Sequence, residues 1–235
     1  MRVLGLIPAR GGSKGVPRKN IRLLAGKPLL FYTAKSALSS RRLDKILLST
    51  EDAEIANVGR GIGLEVPFMR PVELAQDSTP TIYVVKHALE VLAAGGNYYD
   101  AVCLLQPTSP FRPDGMIDAC IDLLETSKAD SVVSVQPVPA EYNPHWVYFQ
   151  TPDNFLQLST GEAVPIPRRQ ELPPAFHRDG SVYLTRASVI LEHNNLYGSK
   201  VAGYLSTNPI RINIDTMADW DEAERFLEQH PDVWN

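Results

Sequence analysis

The chain has 235 residues, 44% of them hydrophobic, which is enough to bury the core of one large domain or two small ones. Its net charge of −4 argues against a general nucleic-acid binder or a membrane-surface protein. No apolar run approaches the ~18 residues that span a bilayer, and Cys103 and Cys120 lie in apolar surroundings typical of reduced thiols. We therefore expect a cytoplasmic protein with neither nucleic acid nor membrane as a partner.

The first predicted strand, at 3–7, leads into a basic, glycine-rich loop with the sequence IPARGGSKGVPRKN (7–20). Arg10, Lys14, Arg18 and Lys19 place four positive charges within ten residues of an acidic chain. Because glycines let backbone amides approach an anion, this loop predicts a phosphate-binding site. It matches neither the Walker pattern nor G-x-G-x-x-G, and a solvated turn with incidental charge is the alternative.

Strand-like and helix-like segments alternate along most of the chain. The predicted strands are 45–50, 100–106, 131–135, 181–185 and 210–214, with a short extended segment at 64–68. The predicted helices are 28–38, 51–60, 80–94, 113–125 and 217–229. For the helix at 80–94 we expect Thr79 as the cap and Pro80 in the first turn. The alternation predicts an α/β fold with a mostly parallel sheet, helices on both faces, and ligands beyond the carboxyl ends of the strands.

Residues 136–176 interrupt this pattern with interleaved prolines and aromatic side chains. Two short antiparallel strands are expected within it, near 146–150 and 155–159. The segment is long for a plain loop, and bulk aromatic exposure is costly unless something covers it. It is either a dimerisation arm that also closes over the active site or a self-packed surface subdomain.

Four polar residues outside the loop are candidates for chemistry. Asp215 follows the last predicted strand, where it would hold Mg²⁺ together with a triphosphate or cap the following helix. Gln106 follows the strand at 100–105 and would either bond a sugar hydroxyl or cap its own proline turn. Arg169 suits a carboxylate or phosphate and Arg70 a base edge or carboxylate, with an ordinary surface arginine as the alternative for each.

Several motifs, in order along nearly the whole chain, resemble those of the acylneuraminate cytidylyltransferases, the family of CMP-sialic acid and CMP-legionaminic acid synthetases. These motifs are IPARGGSKG (7–15) with KN (19–20), LST (48–50), RPVELAQD (70–77), LQPTSP (105–110), RQELP (169–173) and IDT (214–216). Several spaced motifs in the same order are far more specific than one glycine loop.

The resemblance implies a Rossmann-like nucleotidyltransferase fold, with a single domain over 1–235 and a dimerisation arm inserted at 136–176. It implies a homodimer that transfers CMP from CTP to the anomeric hydroxyl of a nonulosonic acid, with Mg²⁺ and release of pyrophosphate. The alternatives are a nucleotidyltransferase for 3-deoxy-octulosonate, a GTP-dependent relative, and a non-catalytic nucleotide- or sugar-binding homologue.

The resemblance also implies roles for individual residues. The implied nucleotide-binding residues are Ala9, Arg10, Gly12, Ser13, Lys14, Lys19, Asn20 and Arg70. Among the implied residues, Arg10, Lys19 and Asp215 are catalytic, Gln106 and Arg169 contact the sugar acid, and Asp215 with Asn213 holds the metal.

Two positions depart from the pattern of the sialate enzymes. Asn213 stands where those enzymes carry a second metal-site aspartate, so one negative charge is lost. Trp146 stands where they carry a lysine, which resembles the legionaminic-acid branch and suggests an apolar surface against a deoxygenated sugar.

Overall fold

The computed structural model of the protein describes residues 1–207, 210 and 212–231. The chain divides into a sheet unit, formed by Met1–Ser134 and Asp179–Asn235, and an inserted unit, Val135–Arg178. The predicted arm at 136–176 falls within the inserted unit, and its role in dimerisation stays a prediction. No helix in the described ranges is long and apolar enough to cross a membrane.

A six-stranded sheet with the order β10-β6-β9-β5-β1-β4 forms the centre of the sheet unit. The strands of the described chain are β1 (Val3–Pro8), β2 (Leu23–Leu24), β3 (Lys27–Pro28), β4 (Lys45–Ser49), β5 (Ala101–Leu104), β6 (Ser131–Pro137), β7 (Tyr148–Gln150), β8 (Leu156–Leu158), β9 (Phe176–Arg186) and β10 (Val201–Leu205). Strand β1 pairs in parallel with β4 and β5, whereas β9 runs antiparallel to β5. Strands β7 and β8 form the antiparallel pair expected inside the inserted unit.

Helices cover both faces of this sheet. They are α1 (Leu29–Leu38), α2 (Ala53–Gly61), α3 (Thr81–Ala94), α4 (Met116–Thr126), α5 (Ala187–His193) and α6 (Met217–Gln229). Side chains alternate along β1, with Val3 and Ile7 packing in the cluster that contains α1 and α4 residues, and Leu4 and Leu6 in the cluster that contains α3 and α5 residues. The predicted Rossmann-like α/β class is therefore confirmed, because a strand buried on both faces needs helices on each side.

The short extended segment expected at 64–68 contributes an isolated bridge to β4. Two other local expectations differ from the structure. Thr79 does not cap α3, because Pro80 occupies the cap position and the Thr79 hydroxyl donates to the Glu73 carbonyl at 3.0 Å. Of the predicted strand at 210–214, Arg211 lies outside the described residues and the remaining positions are not in a strand.

Helix α2 begins with a side-chain cap that also fixes the glycine loop. Asp52 Oδ1 accepts from the backbone N–H groups of Glu54 and Ile55 at 2.9 and 3.0 Å, and Oδ2 accepts from Arg18 Nη1 at 2.5 Å. The Arg18 hydrogen bond, followed by those two N–H groups, holds the pKa of Asp52 below its ordinary value. This side chain therefore stabilises the fold more in its charged form than when it is protonated.

Substitution of Asp52 should separate the cap from the ion pair. Asp52→Ala removes both and should lower the free energy of unfolding by about 1–2 kcal/mol, whereas Asp52→Asn keeps the cap and should cost about half as much. Because the folded pKa is depressed, this stability is present above about pH 4 and is lost as the pH falls through the folded pKa. Urea unfolding at pH 7 and pH 3 measures the difference, and equal losses for Asp52→Asn at both pH values would contradict it.

Candidate functional site

A cleft of about 410 Å³ opens where the strands of the sheet end. Pro8 ends β1, and Gln106 follows β5 by two residues, so the carboxyl ends of two neighbouring parallel strands meet at this cleft. Eight of the residues predicted for the site line it, namely Arg10, Ser13, Lys19, Asn20, Arg70, Gln106, Asn213 and Asp215. A polar cleft at this edge is where open α/β sheets bind ligands.

A hydrophobic cluster brings the glycine loop against the segment that carries Asp215. Val16 of the loop and Ile214 are both completely buried, and they belong to one cluster with Leu29 of α1 and Trp220 of α6. At Gly15 the approach is closer still, since a Cβ built there would lie 1.9 Å from the Asp215 carbonyl oxygen. Only glycine fits between the two segments at this position.

Lys19 joins the same two segments by hydrogen bonds. Its Nζ donates to the Ile214 carbonyl at 2.7 Å and to Asp215 Oδ1 at 3.1 Å, and only 11% of its side chain is exposed. Beside it, Asn20 Nδ2 donates to the Arg10 carbonyl at 2.9 Å and holds the basic loop in shape. The cation predicted for the triphosphate is therefore fixed in place next to the carboxylate predicted for the metal.

Asp215 is not the cap of α6, so that interpretation is wrong. Thr216 caps the helix, with its hydroxyl accepting from Asp219 N while the Asp219 carboxylate accepts from Thr216 N. The Asp215 carboxylate is thus left at the cleft, where it accepts from Lys19 and from Asn213 Nδ2, the latter at 2.6 Å.

The oxygen atoms near Asp215 suit a cation that is also bound by a ligand in the cleft. The Asp215 side chain is 61% exposed and offers one carboxylate, while Asn213 Oδ1 already accepts from the Ser109 hydroxyl at 3.1 Å. The described residues contain no group of three His, Cys, Asp or Glu side chains that would hold a metal alone. Mg²⁺ commonly binds through one or two carboxylates and the phosphates of its substrate, which this arrangement fits.

Glu51 is a site residue that the sequence-based interpretation missed. Its Oε1 accepts from the Gly11 N–H at 2.7 Å, and its Oε2 accepts from Arg70 Nη2 at 2.6 Å. One carboxylate therefore connects the glycine loop to the cleft arginine. An acidic residue directly after β4, at the strand edge where the loop lies, was the available signal.

Two cations of the loop, Arg10 and Lys14, share one carboxylate. Arg10 Nη1 lies 2.6 Å from Asp77 Oδ1, and Lys14 Nζ lies 2.5 Å from Asp77 Oδ2. Lys14, followed by Arg10, lowers the pKa of Asp77, so this group remains a carboxylate at neutral pH. Asp77, which lines the cleft together with Arg10, thereby holds both cations.

The remaining residues singled out in the sequence are Ala9, Gly12, Lys14, Arg169 and Trp146. Ala9 is buried and extends the sheet through its N–H to the Ser49 carbonyl at 3.0 Å, and neither Ala9, Gly12 nor Lys14 lines the cleft. Arg169 is exposed on a short 3-10 helix of the inserted unit, and its role stays a prediction. Trp146, also in that unit, donates from Nε1 to the Ile166 carbonyl at 2.7 Å.

A solved structure shares the fold of this chain. The fold matches that of a CMP:2-keto-3-deoxy-manno-octonic acid synthetase complexed with CTP, with a TM-score of 0.72, 17% sequence identity, and coverage of 97% of this chain and 99% of the other. At this level of identity the likeness concerns the fold alone.

Sequence relatives then identify the family. Residues 4–235 match the family described as Cytidylyltransferase, and the chain belongs to this family. It is 36% identical over 231 residues to the CMP-N,N'-diacetyllegionaminic acid synthase of Legionella pneumophila, covering 97% of each chain. It is also 30% identical over 224 residues to a pseudaminic acid cytidylyltransferase of Campylobacter jejuni, covering 95% of each. The predicted family is confirmed.

The contact at Gly15 generates a test of the assembled site. Gly15→Ala should lower cytidylyltransferase activity about 10–100-fold, because the added methyl group forces the loop away from the Asp215 backbone. Gly61→Ala is the matched control, since a Cβ at that helix end meets no atom within 4 Å. Steady-state kinetics on both variants checks the expectation, and wild-type kcat/KM in Gly15→Ala would contradict the close approach.

Proposed function

We propose that the protein transfers CMP from CTP to the anomeric hydroxyl of a nonulosonic acid and releases pyrophosphate. The observation that carries the proposal is the junction at Lys19, which places a fixed cation of the glycine loop beside the Asp215 carboxylate in one cleft. Nucleotidyl transfer needs both kinds of group near the same phosphates, because charge builds up on the phosphate oxygens and on the departing pyrophosphate. The names of the relatives from Legionella and Campylobacter support a nonulosonic acid as the acceptor.

In this proposal the basic loop binds the triphosphate. Arg10 and Lys19 direct positive charge at the phosphate oxygens, while Ser13 and Asn20 line the same wall of the cleft. These groups are held by Asp77, by Asp215 and by the loop backbone, so little reorganisation accompanies the reaction. Fixed charges of this kind lower the barrier more than mobile ones.

Arg70 is proposed to contact the base of the nucleotide. Only 3% of its side chain is exposed, Glu51 accepts from its Nη2, and its Nε–H has no hydrogen-bond partner among the described residues. A buried donor without a partner costs about 1–3 kcal/mol, which an acceptor on a bound base would recover. The Glu51 carboxylate fixes the plane of the guanidinium for this contact.

Gln106, which lines the cleft together with Pro107 and Thr108, is proposed to contact the sugar acid. Positioning the acceptor hydroxyl against the α-phosphate supplies much of the rate enhancement for a reaction of two bound substrates. Trp146 and Arg169 of the inserted unit are proposed to take part in acceptor selection.

Asp215 is proposed to hold Mg²⁺, with Asn213 beside it. When bound, the ion adds positive charge to the phosphate oxygens and to the leaving pyrophosphate. Asn213 Nδ2 donates to Asp215 Oδ2 and so keeps this carboxylate turned to a defined position.

The expected homodimer is part of the proposal. Several apolar side chains of the inserted unit are strongly exposed, including Phe149 at 66%, Phe155 at 74% and Leu156 at 67%. Apolar clusters of this kind mark interaction surfaces in many proteins, which supports the role of the unit in self-association.

Pyrophosphate release from each of the four nucleoside triphosphates, tested against a panel of nonulosonic acids, examines the proposed reaction. We expect turnover with CTP and a higher kcat/KM for N,N'-diacetyllegionaminic acid than for N-acetylneuraminic acid. Equal kcat/KM for the two acids would reject the proposed part of Trp146 in acceptor choice. The absence of pyrophosphate with CTP and every acid would reject the reaction itself.

Substitutions at Asp215 and Asn213, the proposed metal ligands, have opposite expected effects on Mg²⁺-dependent activity. Asp215→Ala should reduce kcat by about 100-fold while CTP binding is retained. Asn213→Asp replaces a hydrogen-bond donor by a second carboxylate at 2.6 Å from Asp215, so a cation is needed to offset the repulsion. We therefore expect half-maximal activity at a lower Mg²⁺ concentration in Asn213→Asp.

A Mg²⁺ titration of activity, with calorimetry of Mg²⁺ binding in the presence of CTP, measures this effect. An unchanged Mg²⁺ dependence in Asn213→Asp would remove position 213 from the metal site. Full turnover in Asp215→Ala would remove the assignment of Asp215.

A further inference from the structure

A fully buried arginine is hydrogen-bonded to a residue of the cleft. Arg112 follows β5 by eight residues and precedes α4, and none of its surface is exposed. Buried arginines are ordinarily paired with carboxylates. The hydrogen-bond partners of this guanidinium are instead three uncharged oxygens. Among the described residues no carboxylate forms a salt bridge with it, and the Asp179 carboxylate acts on it only through its charge.

The three partners belong to three different elements. Arg112 Nη2 donates to the Gln106 carbonyl at 2.7 Å, just after β5. Nε donates to the Ser181 carbonyl of β9 at 2.7 Å, and Nη1 donates to the Thr33 hydroxyl of α1 at 2.9 Å. Because the guanidinium is planar and its N–H directions are fixed, these bonds set the relative positions of all three elements.

One of these bonds leads directly to a residue of the cleft, and a second leads there indirectly. The bond to the Gln106 carbonyl fixes the main chain of a residue whose side chain lines the cleft. On the β9 side, Gly180 precedes the bonded Ser181, and a Cβ at Gly180 would lie 2.5 Å from Ser109 Oγ. That hydroxyl donates to Asn213 Oδ1, so the backbone of β9 supports the neighbour of Asp215 as well.

Stability alone does not account for this arrangement. Burial lowers the pKa of Arg112 to about 10, which reflects the free-energy cost of keeping a cation away from water. Replacing buried charges by apolar groups of similar volume is often neutral or stabilising. A buried cation that joins three elements, one of which carries a residue of the cleft, is therefore better explained by the geometry that it imposes.

We propose that Arg112 is a positioning residue for the acceptor, holding the main chain at Gln106 and β9 at the spacing that the sugar acid requires. The inference rests on the proposed function, in which Gln106 contacts the sugar acid and the basic loop contacts CTP. The Arg112 bond to the Gln106 carbonyl acts directly on that residue, whereas the bond to Ser181 reaches the cleft only indirectly, through β9, Ser109 and Asn213. Loss of the guanidinium should therefore affect the acceptor more than the nucleotide.

The variants Arg112→Met and Arg112→Lys test this inference by separating the two substrates. In Arg112→Met we expect KM for the sugar acid to rise at least about 10-fold, while KM for CTP changes less than about twofold. Glu51→Gln provides the comparison on the nucleotide side, since it weakens the link between Gly11 and Arg70 and should raise KM for CTP instead.

The pH profile of Arg112→Lys gives a second readout, which a merely structural role would not change. Burial lowers the pKa of a lysine ammonium from a value that already lies below that of arginine. We therefore expect acceptor turnover in Arg112→Lys to fall as the pH rises through the lysine pKa, with no matching loss in the wild type. If Arg112→Met does not fold, the pH profile of Arg112→Lys still tests the inference.

Arg186 is the matched control for loss of a guanidinium. Its Nε and Nη2 donate to the Ala129 and Leu124 carbonyls at 2.9 and 3.0 Å, and it does not line the cleft. Arg186→Met should lower the melting temperature without changing KM for the sugar acid. Wild-type KM for the sugar acid in the Arg112 variants, with an active wild-type enzyme, overturns this inference alone. A wild-type protein without pyrophosphate release overturns the proposed function and this inference with it.

Discussion

The candidate site depends on one ammonium group that joins two distant stretches of the chain. Lys19 Nζ donates to the Ile214 carbonyl and to the Asp215 carboxylate, which lie 195 and 196 positions further along the chain. Its side chain is largely buried. The contact between Val16 and Ile214 buries apolar surface at the same junction. Because these contacts connect the first loop with the segment before the last helix, the site is complete only when α6 has docked on the rest of the sheet unit.

Three carboxylates other than that of Asp215 give the basic loop its shape. Asp52 holds Arg18, Asp77 holds Arg10 and Lys14, and Glu51 holds the backbone at Gly11. The loop cations therefore have defined directions in spite of their number, and the overall negative charge of the protein is compatible with an anion-binding cleft. An anionic substrate meets oriented donors at this edge of the sheet instead of a diffuse basic surface.

Hydrophobic periodicity was sufficient to predict the central strands, the long helices and the edge of the sheet where the site lies. It could not predict the direction of β9, since a buried strand has the same pattern in parallel and antiparallel pairs. Two-residue strands such as β2 and β3 are too short to show any period. A residue that the sequence pattern suggests for one role can have another role in the fold. Asp215 was a candidate for the cap of α6, but its neighbour Thr216 caps that helix.

The contacts that give the site its geometry were the least predictable part. Glu51 lies 40 residues from Gly11, and Arg112 lies 69 residues from Ser181, so no local pattern connects them. A charged residue in a connecting segment is ordinarily expected at the surface. The burial of Arg112 was therefore not predicted. The family motifs indicated that these segments matter, but only coordinates show which atoms they join.

The position of the inserted unit, between β6 and β9, affects which part of the chain can change in length. These strands are neighbours in the sheet, so the chain leaves and re-enters the sheet unit at points about 5 Å apart. A longer, shorter or rebuilt insertion can span that gap without shifting the register of any strand. The architecture thus allows the inserted unit to diverge as a module while the strands that border the cleft keep their pairing.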